Sequence, residues 1–95
     1  NVISNEVPDR FSLSQNYPNP FNPVTKFKFQ VSESSPVEIS IYNSEGKQIE
    51  ILLNRNLSPG YYEAEWDGTA YSSGVYFYRF KSNMFTETKK MILIK

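Results

Sequence analysis

Apolar side chains recur at every second position in short runs between residues 24 and 95. Successive side chains of a strand point to opposite faces, so this alternation predicts half-buried β-strands. The runs lie at 24–31, 36–43, 47–53, 60–66, 74–80 and 85–95. The predicted inward-facing residues are Phe27, Phe29, Val31, Val37, Ile39, Ile41, Ile49, Ile51, Leu53, Tyr62, Ala64, Trp66, Tyr76, Tyr78 and Phe80, followed by an apolar strand around residues 91–94.

Segments rich in Ser, Asn, Gly and Pro separate these runs and predict turns. No window shows the 3.6-residue apolar repeat of an amphipathic helix. The pattern predicts an all-β domain, a small antiparallel immunoglobulin-like β-sandwich of about seven strands. Residues 1–12 are polar and show no period, so we expect a linker or flexible N-terminal segment there and the folded domain at residues 13–95.

A register is predicted for the runs at 60–66 and 74–80, if they pair as a hairpin across the 67–75 loop. Trp66 would then face Tyr76, and Glu63 would meet Arg79 on the opposite face. The same register places Ala64 opposite Tyr78 and Tyr62 opposite Phe80.

The composition narrows the possible functions. The chain has 95 residues with Cys 0 and His 0. Disulfides, zinc fingers and thiol catalysis are thereby excluded, and the commonest metal ligand and general base are missing. The formal net charge of zero argues against nucleic acid or an acidic membrane as partner. We expect a non-enzymatic domain with no cofactor, no metal and no small-molecule substrate.

The charge is unevenly distributed along the chain. Residues 1–80 carry 6 Lys and Arg against 9 Asp and Glu, a net of −3, whereas residues 81–95 carry 4 Lys against 1 Glu, a net of +3. The basic residues of the second part are Lys81, Lys89, Lys90 and Lys95. Lysines on an edge strand ordinarily keep it soluble, and this explanation stays open beside a docking role.

Three carboxylates, Glu63, Glu65 and Asp67, alternate along one predicted strand and share a face. A glycosidase needs two carboxyl groups about 5–9.5 Å apart in a cleft, which the flat surface of a small sandwich does not offer. We interpret the row as a solvated face. Asp67 and Gly68 predict a turn in which the carboxylate accepts backbone N–H groups, and one carboxylate in the loop is too few for calcium.

Aromatic residues make up 16% of the chain, and rings on a sandwich could bind sugars. The rings that point inward are explained by the core, which leaves Tyr61 and Phe77 as the outward candidates. A carbohydrate-binding or spacer module of a secreted hydrolase is therefore the alternative function. It predicts saturable binding to insoluble polysaccharide that Tyr61→Ala or Phe77→Ala abolishes.

Residues 16–23 read NYPNPFNP. Proline lacks an N–H donor and restricts the residue before it, so the segment cannot be helix or central strand. PFNP fits a minimal polyproline ligand, but a stiff turn into the first strand is favoured. We expect Tyr17 and Phe21 to pack against the core and the Asn side chains to bond local backbone. The predicted structural motif comprises Tyr17, Pro18, Asn19, Pro20, Phe21, Asn22 and Pro23, with Trp66, Asp67 and Gly68.

Five stretches together resemble a known family. They are LSQNYPNPFNPVTKFKF at 13–29, IYNSEGKQI at 41–49, GYYEAEWDG at 60–68, SSGVYFYRF at 72–80 and TKKMILIK at 88–95. In this order they resemble the type A C-terminal sorting domain of the type IX secretion system, over roughly residues 13–95. The family often has Asp in place of Asn43 or Ser44, a variation within a turn.

The resemblance implies an immunoglobulin-like sandwich at the C-terminus of a larger secreted protein of certain Gram-negative bacteria. Such a cargo crosses the inner membrane by a separate signal peptide. The folded domain is recognised in the periplasm, and the cargo is exported through the outer membrane. In many members a sortase-like peptidase removes the domain, and the cargo is released or attached to surface lipopolysaccharide. We accordingly interpret the chain as part of a larger protein.

The resemblance also implies which residues meet the machinery. The family ties export to the GVY stretch and to the lysine-flanked terminal strand, here Gly74, Val75, Tyr76, Lys90, Met91, Ile92, Leu93, Ile94 and Lys95. A basic terminal strand could dock by charge and by edge pairing. We predict a monomeric sorting signal whose partners are an N-terminal cargo domain, the outer-membrane machinery and a sortase-like peptidase, located in the periplasm in transit and then at the cell surface or outside.

Overall fold

Two four-stranded sheets pack face to face in the computed structural model, which describes the backbone of residues 2–4 and the whole of residues 6–95. The strands are β1 Val2–Ser4, β2 Ser12–Leu13, β3 Val24–Val31, β4 Ser35–Tyr42, β5 Gln48–Leu57, β6 Gly60–Asp67, β7 Gly74–Lys81 and β8 Thr86–Leu93. The first sheet has the order β1-β6-β3-β2 and the second the order β5-β4-β7-β8. All pairs of these strands are antiparallel, so the predicted immunoglobulin-like sandwich is confirmed.

The core lies between the inner faces of the two sheets and is rich in aromatic rings. The ring centroids of Phe27 and Tyr78 lie 4.3 Å apart, and those of Phe29 and Phe80 lie 5.2 Å apart. Such ring pairs contribute about 0.5–1.5 kcal/mol beyond the area they bury. The buried apolar residues are Leu13, Phe21, Phe27, Phe29, Val31, Val37, Ile39, Ile41, Leu57, Tyr62, Trp66, Tyr76, Tyr78, Phe80, Met91 and Leu93. The inward faces predicted for β3, β4 and β7 are therefore confirmed.

β5 departs from the predicted alternation. Ile51, predicted to point inward, is 48% exposed. The register of β4 and β5 shifts twice, and the first shift leaves Leu52 as an extra residue between Leu53 and Ile51. Each bulge reverses the alternation, because the bulged strand has two residues opposite one. As a result Glu50 lies opposite the buried Ile41 and points to the inner face.

The hairpin predicted between β6 and β7 is wrong. β6 pairs with β3 and β1 in the first sheet, whereas β7 pairs with β4 and β8 in the second. Trp66 and Tyr76 meet across the core, with ring centroids 5.5 Å apart, rather than along one ladder. Glu63 lies opposite Lys28 instead of Arg79. Alternation determines which face a side chain occupies, but it does not determine which strand lies alongside.

Part of the N-terminal segment belongs to the sheets. Val2–Ser4 pairs with β6, and Ser12 pairs with Gln30 of β3. Residues 1 and 5 lie outside the described residues. The linker predicted over residues 1–12 therefore contains strand residues, and the domain boundary at residue 13 stays a prediction.

Candidate functional site

The two stretches predicted to recognise a partner lie side by side. β7 begins with the GVY stretch, and β8 ends with the terminal apolar run. Their register pairs Val75 with Ile92 and Tyr76 with Met91, and Gly74 with Leu93. The fold thus brings the two stretches, which residues 77–89 separate, side by side on consecutive strands.

Alternation divides these residues into buried and accessible groups. Tyr76, Met91 and Leu93 are buried in the core. The Tyr76 hydroxyl donates to the carbonyl oxygen of Ser72 at 2.7 Å, which ties the start of β7 to the preceding loop. The residues that stay at least partly accessible are Gly74, Val75, Lys90, Ile92, Ile94 and Lys95.

The proline-rich segment covers the outer edge of β8. We call residues 15–23 the strap. Phe21 forms a parallel bridge with Leu93, in which its N–H donates to the carbonyl oxygen of Ile92 at 2.9 Å. The N–H of Ile94 donates in turn to the carbonyl oxygen of Phe21 at 2.9 Å. The Phe21 ring is 2% exposed and packs edge-on against Trp66, so it anchors the strap.

Two side chains of the strap extend this edge contact. Asn19 Oδ1 accepts a hydrogen bond from the N–H of Ile92 at 3.0 Å. Gln15 Nε2 donates to the carbonyl oxygen of Lys90 at 2.7 Å. The edge of β8 from residue 90 to residue 94 is therefore hydrogen-bonded within the domain.

Tyr17 corrects one expectation about the strap. It was predicted to pack against the core, but its side chain is 82% exposed. The backbone of Tyr17 pairs with that of Lys26, and this register turns both side chains to the outer face of the first sheet. The packing predicted for Phe21 is confirmed.

A small polar cluster fixes the start of the strap. It confirms for Asn16 the predicted hydrogen bond from an Asn side chain to local backbone, whereas the part that Thr25 plays was not predicted. Asn16 and Thr25 are buried. Asn16 Nδ2 donates to the Thr25 hydroxyl at 3.0 Å and to the carbonyl oxygen of Pro18 at 3.1 Å. The Thr25 hydroxyl donates to the same carbonyl at 2.8 Å. Buried polar groups are tolerated when they are hydrogen-bonded, and an Asn two residues before a proline is the sequence signal that could have indicated this cluster.

Trp66 joins the two sheets beneath the strap. Its Nε1 donates to Glu50 Oε1 at 3.0 Å, which gives a polar partner to a side chain that is otherwise enclosed. The Tyr71 hydroxyl lies 3.3 Å from the same oxygen. Burial and the nearby Glu50 raise the pKa of Tyr71.

The turn predicted at Asp67 is confirmed. Asp67 Oδ1 accepts from the N–H of Thr69 at 2.9 Å and also from the Thr69 hydroxyl. These bonds, with a smaller contribution from the charge of Lys95, hold the pKa of Asp67 below its ordinary value. The last residue is tied to this loop, because Lys95 Nζ donates to the carbonyl oxygen of Thr69.

Gly68 closes the gap between this turn and the strap. Its N–H donates to the carbonyl oxygen of Pro23 at 2.8 Å. A Cβ at this position would lie 3.0 Å from Leu93 Cδ2, so a larger residue here would require the Leu93 side chain to shift by a few tenths of an ångström. Three of the structural motif residues, Asn19, Phe21 and Gly68, thus lie against the end of β8.

The fold does not assemble the other candidate residues into a binding or catalytic site. Tyr61 lies on the first sheet and Phe77 on the second, both on outer faces, so they do not form one aromatic platform. Glu63 and Glu65 face Lys28 and Lys26 across the β3–β6 ladder, as in a solvated charge face. Among the described residues no group of three or more acidic side chains is arranged to hold a metal ion.

No helix in the described part of the chain is long and apolar enough to span a membrane.

The comparison with known families decides the identity. Residues 15–95 match the family model of the secretion system C-terminal sorting domain. The chain belongs to this family. A C-terminal sorting domain is the secretion signal by which the type IX system recognises a protein, so the sorting domain interacts with secretion machinery and is attached to a cargo that passes to the cell surface or outside.

A solved structure shows the same fold. It is that of PorZ, described as an essential bacterial surface component of the type-IX secretion system of Porphyromonas gingivalis. The TM-score is 0.56 with 16% sequence identity, and the match covers 92% of this chain and 12% of that chain. A search of curated proteins finds no match to this sorting domain.

Proposed function

We propose that this sorting domain directs a cargo on its N-terminal side through the outer membrane, and that β7 and β8 form the surface that the machinery recognises. The observation that carries the proposal is the pairing of the GVY stretch with the terminal apolar run. One partner surface can contact both stretches at once, although residues 77–89 separate them in the chain.

Each recognition residue takes a role that follows from its burial. Tyr76, Met91 and Leu93 anchor the two strands in the core and hold the others in place. Val75, Lys90 and Ile92 present their side chains on the outer face. Gly74 starts β7 opposite Leu93, and Ile94 and Lys95 extend from the end of β8.

The route of the cargo is part of the same proposal. The folded sandwich is recognised in the periplasm, so the cargo arrives there by a separate signal before it crosses the outer membrane. A sortase-like peptidase then cleaves on the N-terminal side of the sandwich. The sorting domain itself performs no chemistry, which fits a chain that has His 0 and Cys 0.

The test is an export assay. A fluorescent reporter carries a signal peptide at its N-terminus and residues 1–95 at its C-terminus, in a bacterium with a type IX system. We expect the reporter at the cell surface or in the medium, and retention of the unaltered fusion in the periplasm would overturn the proposal.

Truncation of residues 91–95 should trap the reporter in the periplasm. This variant also loses two buried side chains, Met91 and Leu93, so its folding must be measured beside its export. A milder variant that removes only Ile94 and Lys95 keeps both buried residues. We expect the milder variant to fold and to be exported less well than the full fusion.

A further inference from the structure

We propose that the machinery recognises the terminal strand by contacting the outward face of β7 and β8, and that the main-chain edge of β8 is not the contact surface. This inference rests on the proposed function and specifies which surface of that site is used. The outward face consists of Val75, Phe77, Arg79, Lys81, Thr86, Thr88, Lys90 and Ile92.

Main-chain groups near the end of β8 are already hydrogen-bonded within the domain and are not free to pair with a partner strand. Edge pairing needs free N–H and C=O groups along the strand. The outward-pointing main-chain groups of Ile92 are both bonded to the strap, to Asn19 and Phe21. A partner strand would have to displace Phe21, whose ring is enclosed in the core.

Two charged side chains protect the first part of β8 from pairing with another strand. Glu87 and Lys89 point to the inner side of this edge strand, as their register with Phe80 and Tyr78 shows. They form an ion pair of 3.1 Å. Inward-pointing charges on an edge strand oppose the addition of another strand, because pairing would strip water from them.

The outward face offers apolar side chains instead. Val75 lies directly opposite Ile92, and both are half-buried. Phe77 lies opposite Lys90 on one side and Tyr42 of β4 on the other. A hollow of about 230 Å³ on this face is lined by Tyr42, Gly46, Phe77, Arg79 and Thr88.

Charge indicates the kind of partner. The eight outward side chains of β7 and β8 include three cations, Arg79, Lys81 and Lys90, and no carboxylate. Arg79 lies over the Tyr42 ring, 5.2 Å from its centroid, and none of the three cations forms an ion pair among the described residues. The neighbouring carboxylate is Glu38 on β4, opposite Lys81. The fitting partner is therefore a protein surface that presents carboxylates around an apolar patch.

The reporter fusion tests this surface with two variants. Lys90→Glu reverses one exposed charge, and Ile92→Thr keeps a β-branched residue in the strand while removing apolar surface. The matched control is Lys47→Glu, which makes the same charge change at an exposed position between β4 and β5. We expect exported reporter to fall about tenfold for Lys90→Glu combined with Ile92→Thr, and the control to match the unaltered fusion.

The outcomes separate this inference from the proposed function. If the unaltered fusion is exported and the Lys90→Glu, Ile92→Thr variant is exported equally well, the outward face is not the contact surface. If the unaltered fusion is not exported, the proposed function itself fails. Thermal unfolding of the 95-residue chain, measured for each variant, confirms that the domain stays folded.

Opening the strap tests the edge directly. Gln15→Ala combined with Asn19→Ala removes both side-chain hydrogen bonds to the β8 backbone and leaves the outward face intact. Unchanged export supports contact through the face, whereas increased export would show that the freed edge is the contact and would overturn the inference.

Self-association is the other possible use of this face. Sedimentation of the 95-residue chain is expected to show a monomer. A dimer that Lys90→Glu dissociates would assign the face to a second copy of the chain and would overturn the inference.

Discussion

The two edges of the second sheet, β5 and β8, are protected from further pairing in different ways. β8 keeps a regular register with β7 over its whole length, and the strap is hydrogen-bonded along its outer side. In the described part of the chain no strand or bridge covers the outer side of β5, although the Tyr71 hydroxyl donates to the carbonyl oxygen of Ile49 at 3.4 Å. The register of β5 with β4 shifts twice, and Asn54, Arg55 and Asn56 are exposed along it. Bulges and polar edge residues disrupt the template that another strand would need.

The two kinds of edge differ in how regularly they position their side chains. A bulged edge turns side chains away from their regular faces, as Ile51 and Glu50 show. A covered edge leaves the register intact, so Lys90 and Ile92 stay aligned with Phe77 and Val75. A strand that has to present side chains in a fixed pattern is better protected by cover than by bulges.

Removal of the strap's anchor should have the largest effect. Phe21→Ala takes a ring from the core and should cost about 3–5 kcal/mol of unfolding free energy. For a chain of this size that corresponds to a melting temperature lower by at least about 12 °C. The matched variant on the other edge, Ile51→Ala, removes a half-exposed side chain and should change stability by less than about 0.5 kcal/mol. Equal losses in a thermal melt would contradict the comparison.

Removal of the inward carboxylate of β5, Glu50, should have the second largest effect on stability. Glu50→Ala leaves the Trp66 N–H without its acceptor and should cost about 1–3 kcal/mol. Glu50→Gln keeps an oxygen acceptor and should lose less. Urea unfolding followed by the fluorescence of Trp66, the single tryptophan, measures both. If Glu50→Ala were as stable as the original chain, the bulge that turns Glu50 inward would have no stabilising role.

A single hydrogen bond between the strap and β8 should have a smaller effect. Asn19→Ala removes the acceptor for the Ile92 N–H and should cost about 0.5–1.5 kcal/mol. Amide exchange at Ile92 should accelerate, while exchange at Met91, which faces β7, should change less. Asn22→Ala is the control, since Asn22 is exposed in the same segment. Unaltered exchange at Ile92 in Asn19→Ala would show that the strap does not protect this edge.

The smallest effect concerns the turn that holds Lys95. The pKa of Asp67 is lowered from 3.8 by its hydrogen bonds to Thr69, so folding favours the charged form. The resulting stabilisation is fully present above about pH 3.8 and is lost as the pH falls through the lower folded pKa. Asp67→Asn should therefore be less stable to thermal unfolding than the original chain at neutral pH. The two stabilities should converge in acid, where Asp67 is protonated. An NMR titration that gives Asp67 a pKa above 3.8 would reverse the sign of this prediction.

Much of the sandwich could be predicted because alternation reports burial directly. The inward rings of β3 and β7 follow from a period of two, since one face of each strand is buried. The errors occur where another residue changes the register or the partner. The extra residue at Leu52 turned Ile51 outward, and the chain that follows Asp67 carried β7 to the other sheet.

The candidate site was predicted as two separate stretches and one proline segment. The strap's rigidity and the burial of Phe21 followed from residue types. That the strap would lie on β8 depended on pairing between residues more than seventy positions apart, as in the bond from Ile92 to Asn19. That Tyr17 would face solvent depended on the pairing of its backbone with Lys26, which turns its side chain to the outer face. Local patterns carry no information about such distant partners.

The sequence by itself determined the fold class, the inward face of most strands and, through its family motifs, the sorting function. Period and turn chemistry are local properties, so they can be read without a structure. Only the tertiary structure decided that GVY and the terminal strand are neighbours and that NYPNPFNP closes the edge of that strand. The physical reason is that strand order and edge cover are selected by the packing of the whole core, where a ring such as Phe21 finds the space that Trp66 and Leu93 leave.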